Sequence, residues 1–257
     1  MAVEFTKDGG IGFITLDRPP VNSYEITFMG ELGKTVDAAA SDDDVRAVVL
    51  RSAREKFFSA GADVKAFSTK SPEENTKMAR AAHAVLGTIS AVPKVFIAQI
   101  DGHALGGGLE IALGCDLRFG SDGSYQVGLP ESQLGLLPGN GGTQRLSRLI
   151  GANRALDLMV SGRSVGPQEA LKLGILDRVF PVDQLEDKTR EYCEQLVAGA
   201  IKAIGNIKRA VNDGLTRPLE AGLALELDLI DELFRSSDAQ EGVAAFTEKR
   251  KPEFTGS

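Results

Sequence analysis

The stretch Gly102–Asp116, GHALGGGLEIALGCD, sets Gly106, Gly107 and Gly108 ahead of one leucine and a glutamate, Glu110, then continues as apolar residues of helical character. Glycine accepts dihedrals that other residues resist and lets a ligand approach the backbone closely. If Gly107 and Gly108 open a helix, their N–H groups lack intrahelical acceptors and lie at its positive end. Such a terminus suits an oxyanion. A tight strand-to-helix turn, with Glu110 favourably placed in the first helical turn, explains the same residues. The motif alone leaves both readings open.

Working outward, the helix belongs to a chain of 257 residues with 42% hydrophobic content, enough for one large core or a main domain with a smaller attachment. The formal net charge is -7, and no run of Lys and Arg is dense enough to track a phosphate backbone. Nucleic acid is therefore disfavoured as a partner, whereas a small anionic ligand can still meet a few local cations. Cys115 and Cys193 form no CxxC pair, and His83 and His103 stand far apart, so neither a disulfide framework nor a metal site is expected. The N-terminus has no basic region followed by an apolar one, and no uncharged apolar run reaches about 18 residues. A cytoplasmic protein without membrane insertion is the expectation.

Short β-branched runs, IGFITL, VRAVVLRS, KVFIAQIDG and DLRFGS, alternate with helical patterns, which predicts an α/β fold. Met78, Ala81, Ala82, Val85, Leu86 and Ile89 mark one apolar face of a helix over about 72–90, with Ser71, Pro72 and Glu74 supplying a capping box and a proline start. Pro167 and Gly174 frame a shorter helix at 167–173. Beyond about residue 183 the strand signals stop and helical patterns continue, including Leu219, Leu223, Leu227, Ile230 and Phe234.

Two further stretches combine glycine with charge. In FFSAGADVK, Phe57–Lys65, the small residues around Gly61 can expose another N–H, Asp63 can cap the residues after it, and Lys65 can meet a phosphate. An ordinary loop fits equally. In GLPESQLGLLPGNGGTQRL, Glu131 sits between Pro130 and Ser132, and a functional role for it needs a partner carboxylate. Neither a G-x-x-x-x-G-K-[ST] phosphate loop nor a G-x-S-x-G elbow is present.

Taken in order, FFSAGADVK, IDGHALGGGLEIALGCDLRFG, VGLPESQLGLLPGNGGTQRLSRLIG and EALKLGILDRVFP resemble the crotonase superfamily, and within it the enoyl-CoA hydratases. The resemblance extends from GIGFITLDRP to EGVAAFTEKRKPEF, almost the whole chain. It implies a crotonase-like spiral of repeated β-β-α units over 1–195, holding the acyl-CoA site, and a helical region over 196–257 that makes trimer contacts, with trimers often pairing into hexamers.

By the same resemblance, the backbone N–H groups of Ala62 and Gly107 form an oxyanion hole for the thioester oxygen of a 2-enoyl-CoA, and Glu110 and Glu131 are the catalytic pair. Glu110 is the base that draws a proton from water as its oxygen attacks the β-carbon, and Glu131 is the acid that protonates the α-carbon. Repulsion between two nearby carboxylates in a partly dry pocket is expected to raise one pKa. The backbone from Ala60 to Val64, with Asp63, and the side chain of Lys65 fall at the CoA nucleotide. Phe246 and Lys249 of a neighbouring subunit are weaker candidates there. Coenzyme A enters as part of the substrate, with no prosthetic group implied.

The chain departs from the family pattern in three places. After Asn22, Ser23, Tyr24 and Glu25 replace the usual residues near the acyl entrance, which bears on substrate preference. The path from Glu110 to Glu131 is one residue longer than usual, the extra residue being expected in a surface turn at Asp122 and Gly123. Val127 stands where phenylalanine is common. The polar run AFSTKSPEEN, Ala66–Asn75, reads either as a lid or as ordinary surface. Other reactions remain open because one fold hosts several chemistries: double-bond isomerisation, thioester hydrolysis, or a scaffold that binds CoA or RNA without catalysis. Retention of both glutamates favours hydration.

Overall fold

The computed structural model describes residues 1–257. A hairpin opens the chain, β1 (Val3–Asp8) and β2 (Ile11–Leu16), turning at Gly9 and Gly10, and α1 (Ile26–Ser41) comes next. One pattern then recurs. The first turn is β3 (Ala47–Ser52), β4 (Phe57–Ser59), α2 (Val64–Thr69) and α3 (Pro72–Ala91). The second is β5 (Val95–Ile100), β6 (His103–Leu105) and α4 (Gly107–Gly114). The third is β7 (Leu117–Ser121) and β8 (Val127–Gly128), then a 3-10 turn at Glu131–Leu134, α5 (Gly142–Ile150) and α6 (Ala152–Ser161). The chain closes through β9 (Ser164–Val165), α7 (Pro167–Leu173) and β10 (Arg178–Phe180). Four helices complete it: α8 (Leu185–Val197), α9 (Ile201–Gly214), α10 (Leu219–Phe234) and α11 (Ser237–Glu248).

In each recurring turn the first strand joins a sheet ordered β1-β2-β3-β5-β7-β10, and the second joins a smaller sheet ordered β4-β6-β8-β9. The chain thus advances by one parallel strand in both sheets at once, a spiral of β-β-α units. The central strands β2, β3 and β5 are buried on both faces and are accordingly largely apolar. Ile14, Leu16, Val48, Leu50, Phe96 and Ala98 face the main core. The alternate residues Ile11, Phe13, Ala47, Val49, Ile97 and Phe119 face a second core closed by Leu185 and Cys193 of α8.

The capping box of α3 is formed in full: Ser71 Oγ accepts from Glu74 N at 3.2 Å, and Glu74 Oε2 accepts from Ser71 N at 2.8 Å. The short helix framed by proline and glycine is α7, with Gly174 at φ +85°. The apolar run KVFIAQIDG holds one strand, as expected, and a second comes directly after it. β5 ends at Ile100, and β6 leaves for the smaller sheet after Gly102, where a Cβ would strike the backbone of Lys56 and Phe57. The run Ala66–Asn75 is not a loop: it comprises the end of α2, a two-residue join and the start of α3, tied by a hydrogen bond from Asn75 Nδ2 to the Phe67 carbonyl at 3.1 Å. No strand comes after β10. The helical remainder is stapled to the core by Lys208 of α9, whose Nζ meets Asp116 at 2.8 Å and the carbonyls of Ile89 and Lys94 at 2.7 and 2.8 Å.

Candidate active site

Each of the three glycines at the start of α4 answers a separate constraint. Gly106 has φ +53°, and a Cβ on it would lie 2.8 Å from Glu131 Oε1. A Cβ on Gly107 would collide with the Tyr24 hydroxyl, and one on Gly108 with the Ser59 carbonyl. The triplet therefore brings β4, Tyr24 and Glu131 up against one helix start. As the first residue of α4, Gly107 has an N–H with no intrahelical acceptor.

The second N–H comes from the loop after β4. Gly61, at φ +86°, presses on the α4 start so closely that a Cβ there would sit 3.0 Å from Gly107 N. Ala62 forms a parallel bridge with Tyr24 that uses the Gly61 carbonyl and the Asp63 amide, each at 2.9 Å, and leaves the Ala62 N–H unspent. Asp63 caps α2 by accepting from Ala66 N at 3.2 Å. Lys65, on α2, is exposed, as is Val64, while Ala60 is partly covered.

Glu110, one turn into α4, is 1% exposed. Its Oε1 accepts from Asn140 N and Gly142 N, both at 2.7 Å, and these bonds oppose the upward push that burial exerts on its pKa. Arg145 holds that donor loop through the Asn140 carbonyl at 3.0 Å. Glu131 opens the 3-10 turn after β8, and its Oε2 is buried with no hydrogen-bond partner. Its pKa is pushed up to about 7, first by burial and to a smaller degree by the charge of Glu110. One raised pKa was expected from mutual repulsion; both carboxylates have raised pKa values, and burial outweighs repulsion as the cause.

The three groups share one origin. Ala62 comes after β4, Gly107 after β6 and Glu131 after β8, so all lie beyond the carboxyl ends of neighbouring parallel strands. Such ends are where α/β sheets collect ligands. The turn at Asp122 and Gly123 is a bend with Asp122 exposed, and Glu131 remains beside Gly106. The site also contains residues with no distinct signal in the sequence. Asn140 and Gly142 were visible only as members of a glycine-rich run, and Tyr24 only as a departure in the segment after Asn22. Phe246 and Lys249 stand exposed on α11 and at its C-cap. No group of three or more His, Cys, Asp or Glu side chains is arranged to hold a metal ion, and no helix is long and apolar enough to cross a membrane.

The model of the enoyl-CoA hydratase/isomerase family matches residues 6–257. A probable enoyl-CoA hydratase of Bacillus subtilis is 35% identical, over 99% of both chains. A short-chain-enoyl-CoA hydratase of Clostridium acetobutylicum is 34% identical over 96% of this chain and 95% of its own. Among solved structures, an enoyl-CoA hydratase of Geobacillus kaustophilus superposes with a TM-score of 0.98 at 43% identity, covering 100% of this chain and 97% of that one. With this sheet pair, this helix start and these relatives, the chain belongs to the enoyl-CoA hydratase/isomerase family and has the crotonase fold.

Proposed function

We propose that this chain hydrates 2-enoyl-CoA thioesters to 3-hydroxyacyl-CoA, with Ala62, Gly107, Glu110 and Glu131 as its working groups. The thioester oxygen lies between the N–H groups of Ala62 and Gly107, and a water lies between the two carboxylates. Glu110 takes one water proton as the oxygen bonds to C3, and the π electrons move onto the thioester oxygen, where two preorganised donors stabilise the enolate. Glu131 then gives its proton to C2 and the carbonyl re-forms. Water has been added, Glu110 is left protonated and Glu131 ionised, and exchange with solvent restores both.

The observation that carries this reading is the unequal hydrogen bonding of the pair. Glu110, whose pKa burial raises, is gripped by two backbone N–H groups that work against that rise and support the charged form that a base needs. Glu131, with Oε2 unpartnered and a pKa of about 7, retains the proton that an acid needs near neutrality. Glu110→Gln and Glu131→Gln are each expected to lower crotonyl-CoA hydration by about 10² or more. The assay is loss of absorbance of the conjugated thioester, and near wild-type turnover in either variant would sink the mechanism. Gly107→Pro, which removes one N–H, is expected to abolish turnover in protein that still folds and assembles.

Coenzyme A is bound as part of the substrate, with the backbone from Ala60 to Val64 and the exposed cation of Lys65 at its nucleotide end. A homotrimer, or two trimers paired, is supported by the row of exposed apolar residues along 196–257: Leu219, Leu223, Leu227 and Phe234. Such an assembly offers Phe246 and Lys249 of one copy to the CoA of another. Sedimentation at a single trimer or hexamer mass, lost on changing Leu223 and Leu227 to Glu, is the expected result.

A further inference from the structure

Tyr24 is 1% exposed, yet its hydroxyl points at polar groups. Its main chain is strapped to the Gly61–Asp63 loop, and its ring crosses to the start of α4, where the hydroxyl fills the space a Cβ on Gly107 would need. The ring thus spans from one anion-hole residue to the other. Burial, and after it the charges of Glu110 and Glu131, hold the pKa of the phenol far above its ordinary value, so the proton stays on oxygen.

Its partner is Asn140, whose side-chain Nδ2 donates to the Tyr24 hydroxyl. The main-chain N–H of the same residue donates to Glu110 Oε1 at 2.7 Å. A phenol has one proton to donate and lone pairs to accept. Asn140 occupies an accepting position, and no protein acceptor takes the proton. Asn140 therefore grips the base with its main chain and Tyr24 with its side chain, leaving Tyr24 a permanently protonated donor with an unspent O–H among the reacting groups.

We infer that Tyr24 donates a hydrogen bond to the oxygen that joins C3, the attacking water before addition and the 3-hydroxyl after it, and that Asn140 aims it. The inference rests on the hydratase reading above. No proton is transferred from Tyr24, so the balance of the reaction is unchanged. A core tyrosine satisfied by Asn140 alone would serve packing only, and the two roles separate in ligand affinity.

Tyr24→Phe keeps the ring and removes the donor. Calorimetric titration with 3-hydroxybutyryl-CoA is expected to show affinity reduced by about three- to tenfold, as for loss of one neutral hydrogen bond, whereas butyryl-CoA, lacking the oxygen, binds within about twofold of wild type. The hydration kcat falls by about the same three- to tenfold factor or more. Equal loss for both ligands, or no loss for either, overturns the inference. Asn140→Ala should weaken 3-hydroxybutyryl-CoA in the same direction, and the double variant should be no weaker than Tyr24→Phe, because Asn140 acts through Tyr24. Fully additive losses overturn Asn140's aiming role. Absence of crotonyl-CoA hydration in the wild-type enzyme would instead sink the hydratase reading itself.

Discussion

Glu131 is kept in a setting that suits reaction better than stability. A glutamate pKa raised from 4.5 to about 7 means that the folded state holds a proton the unfolded chain has already released, so folding loses stability as pH rises from about 4.5 through 7. Glu131→Gln is therefore expected to raise Tm relative to wild type more at pH 8 than at pH 5, measured by calorimetry. On the proposed mechanism the same titration governs activity: kcat/KM for hydration should decline as pH rises through about 7 and Glu131 loses its proton. A profile that stayed flat up to pH 9 would remove Glu131 from the acid role. Of the residues involved, Glu110 and Glu131 were legible in sequence through the family resemblance of the ordered stretches that hold them, neither stretch deciding a role alone. Asn140 was not, because it acts largely through a backbone N–H, which every residue but proline carries, and neither its type nor its spacing distinguishes it.

At the scale of the element, α4 shows why three glycines stand together. The obstacle at Gly107 is the end of a side chain, and the obstacle at Gly108 is the main chain of β4. Gly107→Ala and Gly108→Ala should each destabilise by roughly 1–3 kcal/mol through overpacking. Adding Tyr24→Leu should relieve the first and leave the second unrelieved, as denaturant midpoints would report. The long strands and α3 could be read from periodicity and caps, but β4, β6, β8 and β9 run only two or three residues and are too short to display alternation. They exist because neighbouring strands supply their hydrogen bonds, information that is tertiary rather than local. The start of α1 was similarly silent: Glu25 makes no capping hydrogen bond, and the first turn holds no acidic residue.

For the molecule as a whole, the attachment of α9 includes one buried cation, beside a hydrogen bond from Asn212 Nδ2 to the Ser90 carbonyl at 3.0 Å. The Lys208 side chain is 5% exposed against an Asp116 side chain that is 17% exposed, and Asp116 also accepts from Phe96 N at 2.7 Å. Lys208→Ala leaves that carboxylate uncompensated and is expected to cost about 3–5 kcal/mol. Lys208→Met combined with Asp116→Asn should cost less than Lys208→Met alone, a difference that chemical denaturation would resolve. The spiral itself acts as a measuring device. Because Ala62, Gly107 and Glu131 come shortly after adjacent strands of one small sheet, whose strands lie about 4.8 Å apart, their order along that edge is set by the order of the strands. On the proposed mechanism, what such an edge gauges is how far the double bond lies from the carbonyl. On that mechanism the hydroxyl is delivered to C3.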